Sequence, residues 1–148
     1  MSLVIRNACL KDTQAIYLLN LNGLGYDYPM EHTEKRLAQV IGSDALLLVA
    51  ELDGIVAGYI HAVDYDCSYS DSLKNILAFV VDERFRRNGI GRSLIAAVEE
   101  WAKETGASGI RLTSGMSREN AHKFYESCGY VNRKIAKQFV KMFTGGAN

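Results

Sequence analysis

The feature that most constrains the fold of this chain is an apolar run followed by a glycine-containing turn and a helical pattern. Residues 76–81 are continuously apolar, which is typical of a buried strand. After a short polar stretch, apolar residues recur at helical spacing, at Ile90, Leu94, Ile95, Val98, Trp101 and Ala102. A strand that leads directly into an amphipathic helix indicates a layered α/β architecture.

The turn between this strand and this helix has the features of an anion site. It reads Arg86-Arg87-Asn88-Gly89-Ile90-Gly91-Arg92. The first N–H groups of a helix have no intrahelical partner, and the positive end of the helix dipole lies behind them. The two glycines carry no side chain that would keep a ligand from these amides. The turn therefore predicts phosphate binding, with a solvated charged turn as the alternative interpretation.

Two familiar nucleotide motifs do not match this turn. The dinucleotide fingerprint needs a third glycine where the chain has Leu94. The P-loop needs a Gly-Lys-Ser or Gly-Lys-Thr sequence, which is absent here.

Composition excludes several classes of protein. The 148 residues have a formal net charge of zero, which argues against a nonspecific nucleic-acid binder. The three cysteines, Cys9, Cys67 and Cys128, lack metal-site spacing, so no metal is expected and a reducing compartment is favoured. No apolar run is long enough to span a bilayer, and no signal peptide is visible. We therefore predict a cytoplasmic protein that does not bind membranes.

The succession of apolar patterns predicts one domain over residues 1–148. Strands are expected at 3–6, 45–52, 55–63, 73–81, 109–114, 130–131 and 138–142. Helices are expected from 11–13 to the glycines at 23 and 25, at 31–41, at 89–104, and from Ser117 to Gly129. Asp53-Gly54 is a strong hairpin signal, and Gly58 indicates close backbone packing. The fold class is α/β (α+β), with a mixed, mostly antiparallel sheet of six to seven strands and helices on both faces.

Two stretches together resemble the GCN5-related N-acetyltransferases, the GNAT family. Arg-x-x-Gly-x-Gly at 86–91 is similar to the acyl-CoA pyrophosphate loop of that family. The segment Asn120-Ala121-His122-Lys123-Phe124-Tyr125, followed by Gly129-Tyr130, resembles the N-A-x-x-F-Y-x-x-x-G-F/Y helix of the family. The order of elements is also similar to the GNAT fold, so the resemblance covers essentially the whole chain.

The resemblance implies acetyl-CoA as cosubstrate and direct transfer of its acetyl group to an amine. The cofactor-binding residues it implies are Phe79, Val80 and Val81 along the pantetheine, Arg86, Arg87, Asn88, Gly89, Ile90, Gly91 and Arg92 at the pyrophosphate, and Asn120. Tyr125 would protonate the departing CoA thiolate. By pattern alone Tyr125 lies on the apolar side of its helix, so a core aromatic residue is the alternative.

The proton-accepting group is where the chain departs from its relatives. Many family members have a glutamate at the position that we align with Asn75, and an amide cannot act as a base. We therefore predict that the proton leaves through water, with Asn75 orienting the amine or that water. Other candidates are His61, Asp64, Asp66 and Asp71, with Asp27 and Glu31 on the helical side. These carboxylates predict a small cationic acceptor.

Three other functions stay open at this stage. The chain could be a non-catalytic acyl-CoA sensor, an aminoglycoside-type acetyltransferase or a peptide N-terminal acetyltransferase. The partners expected are acetyl-CoA and an amine acceptor, without nucleic acid, and a homodimer is left open.

Overall fold

A computed structural model describes residues 2–144 of the chain. Its strands and helices are β1 (Leu3–Asn7), α1 (Thr13–Leu19), α2 (Met30–Ile41), β2 (Leu46–Leu52), β3 (Ile55–Tyr65), β4 (Leu73–Val81), α3 (Ile90–Glu104), β5 (Gly109–Leu112) and α4 (Glu119–Ser127). Short 3-10 turns occur at Leu10–Asp12 and Glu83–Phe85. These bounds confirm the predicted strands and helices up to β5 to within a few residues.

The strands form one sheet in chain order, β1-β2-β3-β4-β5. The first four pair antiparallel, and β5 pairs parallel to β4. Between β2 and β3, Asp53 and Gly54 both have positive φ, 51° and 84°, as a tight hairpin turn of the primed type requires. The predicted mixed, mostly antiparallel sheet is therefore confirmed.

The predicted number of strands, six to seven, was wrong for the described residues, which contain five. Residues 130–131 and 138–142, expected as strands, have no strand assignment. Val131, Phe139 and Val140 in these segments are exposed. Their apolar residues suggested strands, but a strand also needs a neighbouring backbone to pair with. Ser117 is not the cap of the last helix either, since Arg118 occupies that position.

The described chain divides into two compact units, residues 2–112 and residues 113–144. In the first unit, α1 and α2 pack on the sheet face that carries Val49, Tyr59 and Val80. The alternate face carries Gly58 and Ile60, and there Ile90 of α3 approaches Gly58. Helices therefore cover both faces of the sheet, as predicted. The second unit contains α4, which is followed by Gly129 at a φ of 92°.

The end of α1 holds a close contact that the sequence pattern did not define. Gly23 and Gly25 were both expected to stop this helix, yet the chain continues as a π-helical turn over Asn20–Leu24. Gly25, with a φ of 78°, is the residue at which the turn ends. Gly23 lies against β4, and a Cβ atom there would overlap the Val80 Cγ2 atom. Glycine is required at 23 for space and at 25 for backbone conformation.

We expect Gly23→Ala to destabilise the fold by about 1–3 kcal/mol, because Val80 is buried and has little freedom to move away. Gly42→Ala is the matched control. Gly42 has a φ of −81°, and its nearest neighbour would lie 3.5 Å from the new Cβ. The control should be neutral or stabilising. Urea denaturation midpoints would measure both, and equal midpoints for the two variants would contradict the close-contact account.

Candidate functional site

The loop after β4 presents backbone N–H groups at the start of α3. The first helical hydrogen bond is donated by the Ser93 N–H to the Gly89 carbonyl at 3.0 Å. The N–H groups of Ile90, Gly91 and Arg92 therefore precede the hydrogen-bonded helix. Gly89 caps the helix at a φ of 74°, a backbone conformation that favours glycine. This arrangement is suited to an anion.

The arginines around this loop are partly engaged by acidic neighbours. The Arg84 guanidinium contacts the Asp82 carboxylate at 2.8 Å, and Arg86 contacts Glu83 at 3.3 Å. The Arg84 guanidinium holds the pKa of Asp82 below its usual value. Arg87 is exposed and has a positive φ of 69°. The helix amides are therefore the fixed part of the anion site, and the arginines add positive charge around it.

β4 and β5 part just before this loop. β5 pairs with β4 from Leu73 to Ile76 and ends there, at Leu112. On its other side, β4 stays paired with β3 as far as Val81. The half of β4 that contains Phe79 is thus not followed by β5.

β4 also contains a β-bulge. His61 pairs with Ala78 and Ala62 pairs with Ile76, so Leu77 is the extra residue. Close packing at Gly58 is confirmed, because a Cβ there would lie 2.9 Å from the Val80 carbonyl oxygen. The bulge interrupts the β3–β4 ladder four residues before the strand ends.

A cavity of about 260 Å³ lies between α1, α2 and the sheet. Its polar lining consists of Asn20, Tyr28, Thr33, Arg36, Tyr59 and His61. Tyr59 is buried and its hydroxyl donates to the Asn20 side-chain oxygen, while burial raises its pKa. His61 is half-buried, and desolvation lowers the pKa of its imidazole. No carboxylate from the described part of the chain lines this cavity.

The carboxylates proposed as candidate bases lie elsewhere in the first unit. Asp64 and Asp66 line a second cavity, of about 290 Å³, together with Lys74 and Trp101. Lys74 is buried; its Nζ donates to Asp64 and lies 4.1 Å from the centre of the Trp101 ring. Asp66 accepts from Ser72. Sequence reasoning missed this lysine, because a polar residue within an apolar strand usually faces solvent.

Asn75 is fixed by a neighbouring strand. Its side-chain oxygen accepts a hydrogen bond from Arg111 Nη1 at 2.7 Å, and the Arg111 guanidinium lies 4.5 Å from the centre of the Tyr65 ring. This bond uses the amide oxygen and orients the amide nitrogen, which can donate to water. A role for Asn75 in orienting a water or amine stays a prediction.

In the second unit, α4 carries the other two predicted residues. Tyr125 is half-buried, its ring packs edge-on to Phe124, and burial raises its pKa. The phenol therefore keeps its proton at neutral pH. Asn120 is exposed in the first turn of the helix. His122 contacts the Gly115 carbonyl at 2.9 Å.

Residues 2–144 lack both a membrane-spanning helix and a metal-binding cluster. No helix in that range is long and apolar enough to cross a membrane. Nor does the range contain a group of three or more histidine, cysteine or acidic side chains placed to hold a metal ion.

Comparison with known proteins gives three findings. The sequence model described as "Acetyltransferase (GNAT) family" matches residues 12–130. An N-alpha-acetyltransferase of Sulfurisphaera tokodaii is 29% identical over 143 residues, which cover 91% of this chain and 84% of that protein. N-acetylaspartate synthetase of Homo sapiens is 34% identical over 92 residues, or 62% of this chain and 30% of that protein.

A solved structure gives a comparison of fold alone. An aminoglycoside N-acetyltransferase in complex with CoA superposes with a TM-score of 0.84, at 18% identity and with 95% of each chain covered. This likeness agrees with the strand order and helix placement described above.

Proposed function

Because the chain belongs to the acetyltransferase (GNAT) family, we propose that it transfers the acetyl group of acetyl-CoA directly to a primary amine. It is an acetyltransferase with acetyl-CoA as its cosubstrate. The main support in the structure is the run of N–H groups that precedes the first helical hydrogen bond of α3, placed directly after the strand that β5 leaves. A pyrophosphate at Gly89–Gly91 and a pantetheine arm along Phe79 and Val81 would occupy these two features.

The acceptor must lose a proton before it can attack. Alkylammonium groups have pKa values of about 10.4, so such an acceptor is a cation at pH 7. The proposed step is attack of the neutral amine on the thioester carbonyl carbon, with cleavage of the C–S bond. Asn75 would orient the amine or a water, and Tyr125 would protonate the leaving thiolate.

A non-catalytic acyl-CoA sensor is the competing function. The presence of Tyr125 favours the enzyme, because its phenol is protonated at neutral pH and can donate a proton to a thiolate. Release of CoA thiol in the presence of acetyl-CoA and an amine distinguishes the two functions.

Binding of acetyl-CoA should stabilise the protein by about 2.7 kcal/mol when the ligand is at ~100 times its Kd. For a chain of this length, that corresponds to a rise in Tm of roughly 5–10 °C. Gly89→Asp should remove most of this rise, because it places a negative charge where the pyrophosphate binds. Gly89→Asn is the matched control, since asparagine tolerates positive φ without adding charge.

Thermal shifts of both variants with acetyl-CoA would test the site. A rise in Tm that is equally large in the original protein and in Gly89→Asp would show that acetyl-CoA binds elsewhere.

Tyr125→Phe should lower kcat by about 10²-fold and leave the acetyl-CoA-induced rise in Tm unchanged. The loss lies at the low end for proton transfer, because a thiolate with a pKa near ~8.5 needs little assistance. Tyr130→Phe is the control, a neighbouring tyrosine whose ring centre lies 6.1 Å from that of Tyr125. Steady-state thiol release measures both. Unchanged kcat in Tyr125→Phe, or a loss explained by unfolding, would favour the core-aromatic interpretation.

A further inference from the structure

The cavity beneath α1 and α2 places a titratable side chain next to the bulge in β4. His61 projects from β3 into this cavity and pairs in register with Ala78. The adjacent residue, Leu77, is the extra residue of the bulge. Bulges are frequent next to active sites, because they interrupt the ladder and redirect side chains. In register, His61 therefore lies opposite the part of β4 where the β3–β4 ladder is irregular.

The proposed path of acetyl-CoA leads to the same place. With the pyrophosphate at the start of α3, the pantetheine arm would run backwards along β4, past Val81 and then Phe79. The next residues in that direction are Ala78 and Leu77. The thioester, at the far end of the arm, would thus lie beside the residues opposite His61.

The surroundings of His61 keep its imidazole neutral. Its neighbours in the cavity with titratable or charged side chains are Tyr28, Tyr59 and Arg36, and none of these carries a carboxylate. Burial lowers the pKa of His61, so the ring carries no charge at pH 7. Neither ring nitrogen has a hydrogen bond to another described residue. One nitrogen of a neutral imidazole is always an acceptor, and here it is available to the cavity.

We propose that His61 removes the proton from the acceptor, and that the acceptor is the α-amine at the N-terminus of a peptide. This inference rests on the proposed transfer of acetyl from acetyl-CoA to an amine. It replaces escape of the proton to water by a dedicated residue.

The class of amine follows from the strength of this base. An α-ammonium group has a pKa of about 7.7–8.0, little more than one unit above that of an ordinary histidine. A lysine-type ammonium, at about 10.4, lies about four units above it. Moving the proton to His61 is therefore unfavourable by a factor of roughly 15 to 30 for the first and roughly 10⁴ for the second, and more for both once burial weakens the base.

The charge of the cavity favours the same class. Among residues 2–144, Arg36 is its one formally charged lining residue, at the edge formed by α2. A polycationic acceptor would meet this positive charge without a carboxylate from that range to offset it. An α-amine next to a peptide carbonyl presents an acceptor oxygen that a guanidinium can bind.

A proton moves from the ammonium nitrogen to the free nitrogen of His61, and the nitrogen lone pair forms the C–N bond to the thioester carbonyl carbon. The C–S bond breaks, and its electron pair leaves with sulfur, which takes a proton from Tyr125. The new amide nitrogen loses its second proton to solvent. His61 then returns its proton to solvent, and solvent reprotonates Tyr125, so one proton is released per acetyl group transferred.

The test compares His61→Gln with the unchanged protein across pH. The probe acceptors are the tripeptide Ala-Ala-Ala, with a free α-amine, and Nα-acetyl-lysine amide, with a free ε-amine. The tripeptide should be the better acceptor. His61→Gln should lower kcat/KM for it by about 10²-fold at pH 7. At pH 9 the loss should shrink to within about tenfold, because most of the peptide is then already neutral.

His122→Gln is the matched histidine control and should leave the pH profile unchanged. If His61→Gln keeps the rise in Tm with acetyl-CoA, the variant is folded and binds the cosubstrate. This inference would be overturned if kcat/KM of His61→Gln fell by the same factor at both pH values or did not fall. It would also be overturned if the unchanged protein preferred the lysine derivative. In each case the proposed function would still stand. If the protein bound acetyl-CoA but acetylated neither probe, the inference would be overturned. If it also released no CoA thiol with any other amine, the proposed function would be overturned as well.

Discussion

Close packing around Val80 is the constraint on which the first unit depends. A Cβ at Gly23 would overlap its side chain, and a Cβ at Gly58 would lie 2.9 Å from its carbonyl oxygen. Because these two glycines lack a Cβ, the turn after α1 and strand β3 can lie directly against Val80 of β4. Because β4 leads into the loop before α3, the same contacts fix where the amides of that helix begin.

Much of this unit could be predicted from the sequence because local signals and packing agree there. The bounds predicted for β4 coincide with those in the structure, and Asp53-Gly54 forms the expected hairpin turn. The prediction was wrong for residues 130–131 and 138–142, where short runs with apolar residues were expected to form strands. Such a run shows only that a segment has residues suited to a strand. It does not supply the neighbouring strand whose hydrogen bonds make the segment a strand.

The candidate site was less predictable because cavities depend on which strand faces meet. His61 and Asp64 are three residues apart on β3, and the sequence offered them as equivalent candidates. Strand alternation separates them: His61 lines the cavity under α1 and α2, whereas Asp64 lines the cavity with Trp101 of α3. The buried Lys74, which engages Asp64, had no sequence signal. Its contact with Trp101 shows why a lysine is tolerated inside the strand.

One physical effect acts on both groups proposed to move protons. Burial disfavours the charged form of either side chain, so it lowers the pKa of His61 and raises that of Tyr125. Both are consequently uncharged at pH 7, one able to accept a proton and the other able to donate one. Direct transfer generates a proton at the nitrogen and needs one at the sulfur. A neutral His61 and a neutral Tyr125 are each suited to one of these two roles, and neither side chain holds a buried charge at rest, which would be costly without a partner.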